Sequence, residues 1–308
     1  MTSLSQNAFK VSKNPGGFTV SFEVFPPLSD IGQTNLLQVA RDLERFGPSF
    51  FSVTYGAGGG TQKRTLDTLQ QITDETSHKL AGHLTCVGAT KTQTDAVAQS
   101  YKAMGVKSIV ALRGDKPKDQ DKYIPHEGGY ANATELVAGL KNIGGFDISV
   151  AAYPEIHPDS ANRKADLDNL KAKFDAGADR AITQFFFDNQ VYYDFLEATA
   201  DHGITAPIVP GILLIHDFNN VKRFAKMCNT NVPEWLKARF EGLEDDPAGQ
   251  QLVAVSTAVE QVLELASHGV RHFHFYTMNK SNLAIAVCRA LGLNTRQTCA
   301  PSLETSVV

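Results

Sequence analysis

Strand-like and helix-like segments alternate strictly along this chain, and few folds can accept that pattern. Runs rich in β-branched and aromatic residues occupy 20–25, 50–55, 80–85, 108–112, 147–152, 180–185, 208–211 and 271–275. Apolar residues recur at helical spacing over 36–46, 64–76, 92–103, 133–142, 161–176, 190–202, 217–228, 247–267 and 281–291. Eight strands, each followed by at least one helix, predict a parallel α/β sheet, since parallel neighbours need a crossover connection. A chain of 308 residues fits a closed (βα)8 TIM barrel, which takes about 250 residues plus insertions. A doubly wound open sheet is the alternative. Residues 18–293 are read as one barrel domain with short extra helices, 1–17 as an N-terminal arm and 294–308 as a C-terminal tail. The charged stretch 116–129 and the stretch 230–247, which carries the only Trp, read as insertions.

Composition removes several classes of function. The net charge is −4 with no basic run, which argues against nucleic acid and anionic membranes as partners. Four scattered cysteines without a C-x-x-C pair read as reduced thiols, and no apolar run approaches a membrane span. A cytoplasmic protein is the expectation.

In a parallel barrel the reactive groups gather where strands end. The first strand, Val20-Ser21-Phe22-Glu23-Val24-Phe25, is stopped by Pro26-Pro27, which places Glu23 near its C-terminal end. Alternation puts Ser21, Glu23 and Phe25 on one face. Apolar surroundings predict a raised Glu23 pKa unless the carboxylate finds a cation, whereas an edge strand would leave it in water. The other strand ends are expected to present Thr54-Tyr55, His83 to Thr85, Arg113-Gly114-Asp115, Tyr153-Pro154-Glu155, Gln184, Pro210-Gly211 and Tyr276-Thr277. Packing alone would not choose so many polar and ring-bearing groups, so together they describe a pocket.

Individual motifs carry different weight. Gly56-Ala57-Gly58-Gly59-Gly60-Thr61 lacks the last glycine of a dinucleotide fingerprint, and no P-loop is present. His272 and His274 share a strand face, as half a metal site would, but no carboxylate follows at useful spacing and structural histidines are the better reading. Arg113-Gly114-Asp115 combines a bidentate cation, close backbone access and an anion, against the plainer reading of a loop salt bridge. Gln184 before Phe185-Phe186-Phe187 offers an amide beside aromatic cover.

On these residues, and on Ser52-Val53-Thr54-Tyr55-Gly56-Ala57, Ala151-Ala152-Tyr153-Pro154-Glu155-Ile156-His157-Pro158 and Phe273-His274-Phe275-Tyr276-Thr277, the chain resembles the methylenetetrahydrofolate reductase family in its bacterial, catalytic-domain-only form. The resemblance implies a (βα)8 barrel with non-covalent FAD, reducing 5,10-methylenetetrahydrofolate to 5-methyltetrahydrofolate with NADH or NADPH in ping-pong order. It also implies a homo-oligomer, and no regulation by S-adenosylmethionine because no regulatory domain follows the barrel. Glu23 is implied as general acid toward N10, at a pKa near 6–7, and Asp115 as the electrostatic partner of the pterin. Implied FAD contacts are Thr54, Tyr55, Ala57, His83, Arg113, Gly114, Asp115, Tyr130, Ala131, Tyr153, His157, Asp166, Asn169 and Lys173. Folate and nicotinamide contacts are implied at Glu23, Asp115, Gln184, Asn220, Phe224 and Lys280, with no metal. Ala172, Asn220 and Lys280 stand where relatives carry a basic residue, a Gln and an Arg, which implies altered FAD or folate affinity. Another FAD barrel oxidoreductase of the proline dehydrogenase kind, a metal-dependent barrel lyase and a non-catalytic folate binder are the competing readings.

Overall fold

The computed structural model describes residues 17–55, 62–116 and 122–293. The N-terminal arm through residue 16, the glycine-rich turn 56–61 with Ala57, part of the first insertion and the C-terminal tail lie outside them. One parallel sheet runs through the molecule in the order β7-β6-β5-β4-β3-β2-β1-β9-β8. Its members are β1 (Thr19–Val24), β2 (Phe51–Val53), β3 (Leu80–Thr85), β4 (Ser108–Leu112), β5 (Asp147–Ala152), β6 (Arg180–Thr183), β7 (Ile208–Val209), β8 (Gly211–Leu213) and β9 (His272–Tyr276). Strands β7 and β8 are two halves of one strand cut at Pro210, so the sheet is a nearly closed barrel of eight staves.

The cut is the seam of the barrel. The lower half pairs with β6 and the upper half with β9. Proline has no N–H to give the ladder, but its carbonyl accepts from His274 N at 3.0 Å. Gly211 follows because a β-carbon there would collide with the Thr183 carbonyl and the Tyr276 ring. This corrects the expectation that Pro210-Gly211 ends a strand at the mouth: the strand carries on to Leu213. A proline was read as a terminator where it sits at a closure.

Helices α1 (Asp30–Glu44), α2 (Gln62–Glu75), α3 (Lys91–Ala103), α4 (Ala133–Ile143), α5 (Arg163–Asp175), α6 (Asn189–Asp201), α7 (Phe218–Cys228), α8 (Glu234–Phe240), α9 (Pro247–Ser267) and α10 (Ser281–Ala290) surround it. The second insertion therefore contains a helix, α8. Side-chain oxygens cap several first turns: Asn132 accepts from Glu135 N, Asn162 from Ala165 N, and Thr90 with Gln93 forms a capping box. Each such cap contributes about 1 kcal/mol.

Strand alternation divides the apolar residues into two cores. Outward-facing Val20, Phe22, Val24, Phe51, Leu84, Ile109, Ile148, Phe273 and Phe275 meet the helices, with Phe22 between the rings of Phe51 and Phe275 at 5.6 and 6.0 Å. Burying each such side chain is worth roughly 1.5–3 kcal/mol. A smaller inner cluster, Phe50, Ala81, Val110, Ile182 and Val209, fills one side of the barrel. The other side, along β1 and β9, is lined instead by Ser21, Glu23, His272 and His274.

Candidate active site

Glu23 stands at the top of β1, in register with Ser52 on one side and Tyr276 on the other. Its carbonyl accepts from the Thr277 hydroxyl at 2.7 Å. Just beyond, the Asn279 amide takes both backbone groups of Phe25, accepting from its N–H at 2.9 Å and donating to its C=O at 2.7 Å. Asn279 and Met278 adopt left-handed backbone (φ 55° and 53°) to make this staple. For Met278 the conformation costs of order 1–3 kcal/mol, which the surrounding bonds must offset.

The carboxylate of Glu23 finds two imidazoles instead of open water. His83 Nε2 lies 3.3 Å and His274 Nε2 3.6 Å from Glu23 Oε2. Burial alone pushes the Glu23 pKa up, but the His274 and His83 contacts outweigh it and bring it down to about 2. The expectation of a raised pKa, drawn from the apolar neighbours in sequence, is therefore corrected. Those neighbours face the helices, while the groups that set the proton affinity arrive from β3 and β9.

Above Glu23 opens a cavity of roughly 510 Å³ at the C-terminal ends of the strands. Thr54, Tyr55, His83, Arg113, Gly114, Asp115, Tyr153, His157, Asn169, Lys173, Gln184 and Phe224 line it with Glu23. The Arg113 guanidinium donates to Asp159 Oδ2 at 2.6 Å and lies 4.5 Å over the Tyr123 ring, so its partner is Asp159 and not the nearby Asp115. Gly114 takes φ +89° to turn the chain there. Tyr153 and His157 pack edge to face at 4.5 Å, in a loop bent by Ile156 at φ 75°, an outlier for a β-branched residue. Lys173 donates to the Ala151 carbonyl at 2.6 Å, and burial, partly opposed by Asp166, lowers its pKa to about 8. Gln184 lines the cavity, and its Oε1 accepts from Phe185 N at 3.0 Å. Thr85 Oγ1 is buried at this wall without a protein partner.

Other expected residues stand apart from the wall. Tyr130 is buried with its hydroxyl on Asp95 at 2.8 Å, and Ala131 N donates to Glu135. Asp166 accepts from Ser160 at 2.8 Å. Asn220 is exposed and donates to Asp217, the N-cap of α7, while exposed Lys280 precedes α10. Ala57 lies outside the described residues. The sequence reading missed Asn132, Ala133, Asp159, Ser160, Leu213, Cys228 and Met278 as wall residues, and missed His274 as the neighbour of Glu23. Only the last had a visible signal, the shared face of His272 and His274 beside Ser21 and Glu23. Among the described residues no cluster of His, Cys, Asp or Glu could hold a metal, and no helix is long and apolar enough to cross a membrane.

Lys173, Arg113, the Tyr153–His157 ring pair and the unpartnered Thr85 hydroxyl are groups that could hold an extended, phosphate-bearing cofactor. The family profile described as methylenetetrahydrofolate reductase matches residues 9–292. The 5,10-methylenetetrahydrofolate reductase of Pectobacterium carotovorum is 45% identical over 281 residues, covering 90% of this chain and 91% of the relative. The enzyme of that name from Escherichia coli is 43% identical over 278 residues, covering 90% and 92%. Methylenetetrahydrofolate reductase (NADH) 1 of Arabidopsis thaliana is 35% identical, and this chain spans 49% of it. Among solved structures, an uncharacterized Clostridium thermocellum protein that binds two copies of 5-methyl-5,6,7,8-tetrahydrofolic acid superposes with TM-score 0.56 at 11% identity. It covers 89% of this chain and 94% of its own, and shows a shared fold.

Proposed function

The chain belongs to the methylenetetrahydrofolate reductase family, and from that premise we propose that it reduces 5,10-methylenetetrahydrofolate with NADH or NADPH through bound FAD, in ping-pong order. The observation that carries the reading is the placement of Glu23 at the floor of the C-terminal cavity with His83 and His274 within 3.6 Å. When bound, FAD supplies the hydride relay between nicotinamide and folate.

The protein's own groups do the rest. Glu23 gives its proton to N10 of the folate, which opens the five-membered ring and leaves a cationic methylene at N5. At rest the imidazoles hold Glu23 ionised. Covering the mouth with apolar ring systems adds desolvation, the one influence here that raises its proton affinity. The transferred proton then comes to Glu23 from an imidazole as the site closes. Asp115 lines the same cavity and stabilises the cationic methylene electrostatically. Gln184 holds the pterin or nicotinamide amide edge, and Phe224 of α7 covers the ring. Arg113 and Lys173 answer the FAD phosphates, while Tyr153 and His157 wall the groove. A homo-oligomer is part of the same reading and is checked by sedimentation.

The test is spectroscopic. The purified protein should carry a flavin spectrum, bleach with NADH or NADPH, and recover its colour with methylenetetrahydrofolate. Recovery with proline instead, or a colourless protein that binds folate, would replace this reading with one of its competitors.

A further inference from the structure

Polar side chains stand one above another along β1 and β9. Thr19 Oγ1 lies 3.2 Å from His272 Nδ1, and His272 Nε2 lies 2.9 Å from Ser21 Oγ. Ser21 Oγ lies 2.7 Å from His274 Nδ1, and His274 Nε2 lies 3.6 Å from Glu23 Oε2. The parallel register accounts for the order, since Thr19 pairs with His272, Ser21 with His274 and Glu23 with Tyr276. Ser21 and His274 are closed off from solvent, at 0% and 1% exposure. The upper end of the column opens at Glu23. Its lower end opens on the opposite face, where Thr19 is exposed and His272 lines a second cavity of roughly 660 Å³ among the N-terminal ends of the strands.

Burying such groups costs stability that apolar side chains would not, and the facing wall shows that this barrel can be filled with them. The links through Ser21 also have a donor and an acceptor each. His272 can donate from Nε2 to Ser21 and the Ser21 hydroxyl to His274 Nδ1, while buried His274 Nε2, without a hydrogen-bond partner, faces Glu23 Oε2 at 3.6 Å.

We propose that this column conducts protons from water at the N-terminal mouth to Glu23, with His272 as the entry residue. The proposal rests on the reading of Glu23 as general acid. A proton from water binds His272 Nδ1, and the Nε2–H passes to Ser21 Oγ as the Ser21 proton passes to His274 Nδ1. The His274 Nε2–H bond then breaks as Glu23 Oε2 gains its proton, across a gap that a small ring rotation closes. One proton enters, one arrives, and Ser21 ends neutral. Ring rotation returns the imidazoles to their starting tautomers between turnovers. The gain is access: bound ring systems cover the C-terminal mouth, and this route approaches Glu23 from beneath.

The groups that face His272 fit transit without storage. Arg180 from β6 is held by Asp147 of β5 through two 2.7 Å bonds, Lys79, Lys107 and His78 line the same cavity, and His274 lies above. Phe50 covers both rings at 6.0 and 5.8 Å. Burial, His274 and Arg180 lower the His272 pKa to about 4, so it keeps no standing charge at neutral pH.

The test compares wild type with His272→Ala, both loaded with FAD, in the two half-reactions. Reoxidation by methylenetetrahydrofolate should slow about 10–100-fold in the variant, with a larger solvent deuterium effect. Imidazole added to the buffer can enter through the lower cavity and should restore much of the rate, while reduction by NADH stays within about twofold. Unchanged reoxidation, equal slowing of both halves, or absence of rescue overturns the conduit. A wild type that methylenetetrahydrofolate does not reoxidise sinks the functional reading instead. The conduit is then decided by ring-nitrogen NMR of 15N-histidine protein, in which His272 and His274 must exchange protons in concert and Ser21→Ala must uncouple them. Exchange that survives Ser21→Ala overturns the proposal by itself.

Discussion

The two sides of the barrel interior solve the same packing problem with opposite chemistry. Phe50, Ala81, Val110, Ile182 and Val209 fill one side as an ordinary apolar layer. Ser21, His272, His274 and Glu23 fill the other with groups that must satisfy one another. Damage to the first side should appear as lost stability. Damage to the second should appear as lost chemistry, because its members hold protons and not merely volume.

The largest effect should come from Glu23→Gln, which keeps shape but cannot deliver a proton at neutral pH. Flavin reoxidation by methylenetetrahydrofolate in stopped flow should fall by roughly 10²–10⁴-fold, with bleaching by NADH within about tenfold of wild type. If both halves slow together, Glu23 positions the flavin and the polar side is structural after all.

On the apolar side, Val209→Ala should cost about 1–3 kcal/mol in urea unfolding, from lost burial plus the cavity left behind. Rate constants per folded molecule should stay close to wild type. A large kinetic defect with intact stability would erase the contrast between the two walls.

Acid should weaken the polar side first. The His272 pKa is about 4 in the folded protein against an ordinary 6.5, so the unfolded chain binds that proton first. Stability is therefore lost as pH falls from 6.5 toward 4. Glu23 runs from an ordinary 4.5 to about 2 when folded; its contribution is complete above 4.5 and disappears as pH falls toward 2. His272→Phe should flatten the upper window in urea midpoints taken between neutral pH and pH 4, leaving the slopes due to His78, His157 and His216, whose pKa values are also lowered. A profile as steep as wild type would place the acid sensitivity elsewhere.

A further effect, a gain and not a loss, concerns α5. Ala172 sits on α5 beside Lys173, and Ala172→Arg should add a charge-assisted contact worth up to about 1.5–3 kcal/mol, read as slower FAD loss on dilution. Unchanged retention would show that the phosphates lie away from this turn.

Legibility followed the range of the interactions. Alternation along the sequence is local, so the staves β3, β4 and β5 are readable with their bounds, and Glu23 is readable at a strand end. Register across β1 and β9 is not local. The shared face of His272 and His274 was visible, but not the register that brings it against Glu23, and so the sign of the Glu23 pKa shift was out of reach. Pro210 misled for a related reason, because a proline that ends a strand and one that seats a seam have the same neighbours. Asn220 was read from a motif position, but its amide binds Asp217 at the helix cap and does not line the cavity.

The seam at Pro210 and the Thr277 bond to Glu23 have a consequence for biosynthesis. Thr277 and Glu23 are 254 residues apart, so β1 waits through the synthesis of that whole stretch before its second neighbour exists. Contacts of such separation fold slowly. Until β9 emerges, an unpaired edge carrying Ser21 and Glu23 faces the cell, and the buried charge in it discourages another strand from taking the vacant place. The same carboxylate that faces the finished cavity is, on an unpaired edge, a charge of the kind that disfavours edge-to-edge pairing.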